Sequence, residues 1–300
     1  MASTETLKKA EKFFELNELP NTKAMLMKAA TTSGKKPDTK TQAALLGGRV
    51  KEVRFDRDWI RAYNAVCGFN DADISLTAPQ VVSTSLMMYL LSRKEHPFPM
   101  LGMVHLRNHI ELIKPLEFGT RYELVVTIGE TRDIPQGKEF DLNTEFLLDS
   151  EPVWRSVMTV LNRVKGMPKL ANKPSTKPTP EAGLASTDAK YIQIKVPENQ
   201  GRKYAKVSGD YNPIHLYEQT AKFFGFKKAI AHGMWTAAKS LSLLEAELGV
   251  SAKTFSVDFK QPVFLPSTSS LKFVASKRGA KFELLSEKES KVQFVGQVTV

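Results

Sequence analysis

The chain has 300 residues, 42% of them hydrophobic and 25% charged, and a net charge of +11. That length and balance suit two folded domains and exclude wholesale disorder, while the single cysteine, Cys67, excludes a disulfide framework and a cysteine-rich metal site and fits a reducing, cytoplasmic compartment. The basic residues are scattered rather than interleaved with aromatics, which speaks against nucleic acid as partner, and no apolar run, LMMYLL at 86–91 included, is long enough to span a bilayer.

In chain order, residues 1–48 form an N-terminal extension. Its first stretch, MASTETLKKAEKFFELNELP, carries charge throughout and lacks the apolar core of a secretory signal. A helix is expected there, followed by the loose basic tract TTSGKKPDTKTQ. Residues 49–165 make a first domain. Within it Thr77 and Gln80 have the spacing of a capping box, and Val82, Leu86, Tyr89 and Leu90 form the apolar face of the helix that follows. Partial alternation at Leu124, Val126 and Ile128, at Phe140, Leu142 and Phe146, and at Val157, Thr159 and Leu161 predicts strands. Residues 166–188 lose the hydrophobic period to Pro, Lys, Ser and Thr and read as a linker. Residues 189–300 make a second domain, in which Met234, Ala237, Ala238, Leu241, Leu244 and Leu248 recur at helical spacing and Gly249 marks the stop.

The two domains repeat one another. Tyr63, Val66, Cys67 and Gly68 match the spacing of Tyr204, Val207, Ser208 and Gly209. Farther on, HIELIKPLEFGTRYELVV at 109–126 matches SVDFKQPVFLPSTSSLKF at 256–273, with Pro115 and Pro262 at equivalent points. Each half is therefore a helix with an antiparallel sheet, an α+β arrangement.

Chemistry concentrates in YAKVSGDYNPIHLYEQTAKFFGFKKAIAHGM, residues 204–234. Asp210 and His215 are separated by Tyr-Asn-Pro-Ile, and Pro213 forces a turn that can bring carboxylate and imidazole together. Such a pair suits acid–base work, with Asn212 available to fix either partner. The alternative is a plain Asx-turn in which Asp210 or Asn212 bonds its own backbone and His215 is exposed. Gly233 directly precedes the apolar helix, where unpaired N–H groups and the positive dipole end can stabilise an oxyanion. His232, on the same grounds, reads as a capping or core-edge polar group. In the first domain Phe69 and Ile74 stand where Asp210 and His215 stand in the second, so that copy cannot do this chemistry.

Ser208-Gly209-Asp210-Tyr211-Asn212-Pro213-Ile214-His215, followed by Ala231-His232-Gly233-Met234, resembles the MaoC-like dehydratases, including the (R)-specific enoyl-CoA hydratases. The resemblance covers most of 195–300 by motif and 49–165 only through the repeat. It implies a double hot-dog fold, two helix-wrapped antiparallel sheets forming a pseudo-dimer, and reversible hydration of trans-2-enoyl thioesters to (R)-3-hydroxyacyl thioesters. Carried over by position, Asp210 and His215 would activate water, Asn212 would orient them, and Gly233 would supply the oxyanion donor. No cofactor or metal is implied. The substrate carrier is coenzyme A or an acyl carrier protein, and Arg202, Lys203, Lys206, Lys227 and Lys228 lie close in sequence for either. In similar two-domain members the degenerate half makes room for a bulky acyl chain, for which Met87, Met88, Met100 and Met103 are candidates beside an ordinary core role. Pairing of two copies of the chain into a homodimer fits such a protein. Thioester hydrolysis and non-catalytic acyl-CoA binding remain as competing functions. The intact Asp-x-Asn-Pro-Ile-His core argues against both.

Overall fold

The computed structural model describes residues 10–70, 73–167, 184, 187–287 and 291–300. The chain divides into two compact units, one drawn from Met1–Arg57 and Thr77–Pro174, the other from Asp58–Leu76 and Ser175–Val300.

Unit 1 is a curved sheet around one helix. Its strands are β1 (Lys12–Leu16), β2 (Leu46–Val53), β3 (Val104–Leu112), β4 (Tyr122–Ile128), β5 (Arg132–Ile134), β6 (Gly137–Leu148) and β7 (Glu151–Arg163). They lie in the order β1-β2-β4-β6-β7-β3, with β5 on β6. All pairs are antiparallel except β1 with β2. The expected N-terminal helix is found only at α1 (Thr22–Thr31), because Lys12–Leu16 pairs with Leu46–Val50 and takes a strand instead. A partner thirty-four residues downstream decides the conformation, and local propensity does not see it.

Helix α3 (Ala78–Leu91) packs against β2, β4 and β6. Gly48 of β2 lets it come close, since a Cβ there would stand 3.1 and 3.2 Å from Leu86 and Leu90. Leu86, Met87, Leu90 and Leu91 are buried, whereas Val82 and Tyr89 are only half-buried. The capping box is not formed. Thr77 makes no side-chain cap bond, and Gln80 turns into the core, where its Oε1 accepts from Ser156 Oγ at 2.5 Å. The physical reason is that Gln80 lies under the sheet, where a buried amide must find partners. Phe55, Tyr122, Phe146 and Trp154 close the core in edge and tilted contacts of 5.3–6.5 Å.

Unit 2 repeats the plan. Strands β8 (Lys190–Val196), β9 (Thr254–Phe259), β10 (Ser267–Ser276), β11 (Gly279–Ser286) and β12 (Val292–Thr299) lie in the order β9-β12-β11-β10-β8, all antiparallel. Helix α6 (Gly233–Leu248) buries Ala237, Ala238, Leu241 and Leu244 and stops at Gly249 in the left-handed region (φ 68°). Phe255, Phe282 and Phe294 fill the core between helix and sheet.

The repeated Tyr-x-x-Val segments are two helices, α2 (Arg57–Cys67) and α4 (Gln200–Ser208), each ended by a positive-φ glycine, Gly68 (φ 86°) and Gly209 (φ 71°). From Asp58 onward α2 belongs to unit 2 rather than to the residues that flank it in sequence. Trp59 Nε1 donates to Val207 O at 2.9 Å, Trp235 Nε1 to Val66 O at 3.1 Å, and Ser242 Oγ to Cys67 O at 3.1 Å, which accounts for that grouping.

Candidate active site

The site is built on the turn after α4. Pro213 fixes its own φ and opens a one-turn 3-10 helix, Pro213–His215. Two Asx bonds shape the approach: Asn212 N–H donates to Asp210 Oδ1 at 3.1 Å, and Ile214 N–H to Asn212 Oδ1 at 3.4 Å. The simple Asx-turn reading therefore holds for the backbone but fails for His215, which is buried rather than exposed. Asn212 acts on Asp210 through its backbone N–H, while its side chain bonds the Ile214 amide and shapes the chain path.

The chain returns through helix α5 (Glu218–Phe223) and pairs Ile230 N–H with Ile214 O at 3.1 Å. This closure sets His215 Nδ1 against Ile230 O at 2.8 Å. A carbonyl only accepts, so Nδ1 carries the proton and neutral His215 presents the lone pair of Nε2. Two residues on, the His232 ring stacks on that of His215, 3.8 Å between centroids and 27° between planes. His232 Nε2 donates to Asp210 O at 2.9 Å and lies 3.8 Å from Asp210 Oδ2. Tyr204 packs on its other side at 5.0 Å.

Of the two roles expected of His232, capping fails, since it makes no side-chain cap bond to helix α6, while its place as a buried polar group holds and sets it against Asp210 and His215. The signal available in sequence was its place two residues after Ile230 and one before Gly233. What it lacked was the long return of the chain that brings 230–232 onto 210–215.

Electrostatics divide the three groups. Burial drives His215 below the ordinary imidazole range, against the opposing pull of Asp210 and the Ile230 carbonyl. Burial, reinforced by the neighbouring His215, pushes His232 down to about 3. For Asp210 burial works against the charge, but the two imidazoles and the Asn212 amide outweigh it and hold the carboxyl below its usual range. Its side chain keeps 40% of its surface open, consistent with a carboxylate at the mouth of the site. At neutral pH the centre is one carboxylate beside two neutral imidazoles.

The nitrogen and oxygen donors of Asp210, His215 and His232 lie within 4.8 Å of one another, a spacing that invites the thought of a metal. The stacking argues otherwise. An imidazole binds a cation in its own plane, and two nearly parallel rings 3.8 Å apart cannot both point at one ion, while Nδ1 of His215 and Nε2 of His232 are engaged with carbonyls.

Gly233 opens helix α6, so its N–H has no intrahelical acceptor and stands at the positive dipole end. Phe259 closes over it: a Cβ at 233 would meet the ring at 3.3 Å. Cys67 is buried and its thiol is pushed up to about 12, which removes it as a nucleophile.

The second unit thus gathers a carboxylate and two imidazoles in one cluster, with His232 directly before the central helix α6. A family model described as the MaoC-like domain matches residues 171–297. The chain is 34% identical over 228 residues to 3-hydroxyacyl-thioester dehydratase X of Mycobacterium tuberculosis, covering 74% of this chain and 78% of that protein. The crystal structure of HtdX from the same organism superposes with a TM-score of 0.70 at 28% identity, over 84% of this chain and 98% of that one. A MaoC-like dehydratase from Phytophthora capsici shares the fold, with a TM-score of 0.67 at 16% identity over 85% of this chain and 95% of that one. The chain belongs to the MaoC-like dehydratase family. Among the described residues no helix is long and apolar enough to cross a membrane.

Proposed function

We propose that the protein reversibly hydrates trans-2-enoyl thioesters to (R)-3-hydroxyacyl thioesters, with Asp210 and His215 holding the water. The observation that carries this reading is the 2.8 Å bond between His215 Nδ1 and Ile230 O, which assigns the ring proton to Nδ1 and leaves Nε2 an acceptor in the cluster that His215 forms with Asp210. In hydration the water donates to these two acceptors. As its oxygen bonds to C3, the proton it loses is taken up by the pair and returned to C2. The thioester oxygen, gaining enolate character, is met by the Gly233 N–H at the helix terminus. Asn212 maintains the turn, and His232 supports the His215 ring from below. No step calls on a metal or a redox cofactor. The carrier is coenzyme A or an acyl carrier protein.

Crotonyl-CoA hydration, followed as loss of the conjugated thioester absorbance with free thiol monitored alongside, tests this. Asp210→Asn and His215→Ala should each lower kcat by about 10²–10⁴-fold without unfolding the chain. Appearance of thiol would make the protein a thioesterase, and retention of activity by either variant would remove that residue from the mechanism.

A further inference from the structure

The catalytic return loop carries a feature that the hydration chemistry does not use. Phe223 and Phe224 close helix α5 with 87% and 46% of their surfaces exposed, their rings edge to face at 5.5 Å. Soluble surfaces seldom leave such a pair uncovered, and exposed apolar groups ringed by charge mark contact sites. Here the ring is basic. Between Arg202 and Lys228 six Lys and Arg stand against two carboxylates, Asp210 within the site and Glu218. Lys222 bonds Glu218 at 2.6 Å, and the charge of Lys228 also reaches that carboxylate. Lys227 and Lys228 are exposed just past the aromatic pair.

The ridge is anchored to the catalytic turn. Thr220 Oγ1 donates to Pro213 O at 2.6 Å, so α5 sits directly on the 3-10 turn that carries His215. Arg202 Nη1 donates to Leu216 O at 2.8 Å with its guanidinium 4.8 Å over Tyr217, tying α4 to the start of the same segment.

We infer that this ridge, Phe223 and Phe224 with Lys222, Lys227 and Lys228, docks a small acidic carrier protein that delivers the thioester, an inference that rests on the thioester reading above. Shape and charge separate three occupants. A free coenzyme would need a concavity, and a side chain exposed to 87% stands on a convex surface. A lipid surface calls for a long amphipathic helix, and α5 has six residues and is bonded to the 3-10 turn through Thr220. A protein partner needs aromatic anchors inside a complementary charged rim, which is what the ridge offers an acidic surface.

The test uses the full chain and a strongly acidic holo acyl carrier protein, with binding measured by calorimetry for wild type, Phe223→Ser/Phe224→Ser and Lys227→Glu/Lys228→Glu. In parallel, kcat/KM is measured for crotonyl thioesters of that carrier and of N-acetylcysteamine. Wild type should bind the carrier, and each double variant should bind it at least about tenfold more weakly. Carrier-thioester kcat/KM should fall by a similar factor through KM, with the small thioester turned over as by wild type. The inference is overturned if wild type does not bind the carrier, if the variants bind it undiminished, or if the small thioester suffers equally. Sedimentation of wild type, but not the Phe variant, with phosphatidylserine vesicles would reassign the ridge to lipid and overturn it too. Carrier binding without hydration of the small thioester would strike at the catalytic reading and leave the docking surface in place.

Discussion

Gly201→Ala is the most revealing single perturbation, because it touches no reacting group. Gly201 lies in the first turn of α4, directly against the backbone of His215. A methyl there would overlap the His215 carbonyl oxygen and stand 2.8 Å from its carbon, with Leu265 Cδ1 closing the other side at 3.3 Å. Carbon atoms at contact prefer about 3.5–4.0 Å, so the His215 backbone must retreat by roughly 1 Å. Both obstacles to the methyl lie in a packed interior, and overpacking of this kind costs about 1–3 kcal/mol. The melting temperature should fall by roughly 2–5 °C, measured by differential scanning calorimetry. More telling is turnover, since a displacement near 1 Å at the base costs about a hundredfold. A crotonyl-CoA assay on folded variant protein should show that loss in kcat, with KM little changed. Wild-type turnover and melting in Gly201→Ala would refute the claim that this contact seats His215.

Further expectations concern acid, the oxyanion site and the stacked ring. His96 is fully buried between Phe98 and Phe140 with neither ring nitrogen bonded among the described residues, and burial pushes it down to about 3. The unfolded chain takes up this proton first, so the stability it confers is complete above about pH 6.5 and drains away below it, by about 1.4 kcal/mol per pH unit. Urea titrations of His96→Leu should show a shallower acid limb than wild type, and an identical limb would exclude His96 as a source. The acid limb of kcat/KM should lie below the usual imidazole value, because burial favours neutral His215; a limb above that value would contradict it. Gly233→Ala presses a methyl onto the Phe259 ring at 3.3 Å and should lower kcat with a small change in melting temperature. His232→Ala should shift the acid limb of turnover, since it removes the neighbour stacked on His215; an unmoved limb would reduce the stacked ring to packing.

The parts of this site that were legible in sequence are those whose geometry is local. Pro213 dictates a turn wherever the chain goes, and a carboxylate and an imidazole on its two sides are thereby brought near each other. Helix α6 was legible from the period of Ala237, Leu241 and Leu244 and from a glycine able to end it. Long-range pairing hid the rest. His232 enters the site only because Ile230 closes on Ile214, and Gly201 matters only through its contact with a residue fourteen positions later. The misassigned capping box teaches the same lesson from the other side: Thr77 and Gln80 satisfy a local pattern, yet Ser156 on a distant strand claims the Gln80 amide.

The acceptor that fixes the His215 proton is a main-chain oxygen, not a side chain. Any residue placed at 230 brings the same carbonyl, so mutation at that position cannot delete the acceptor as it could delete a carboxylate. Proton placement is therefore a property of the chain's route, heritable through sequence drift and vulnerable only to insertions, deletions or clashes that reroute the return loop. In the proposed mechanism the side chain that takes the proton is encoded at one codon, but its readiness to do so is spread over the length of a loop.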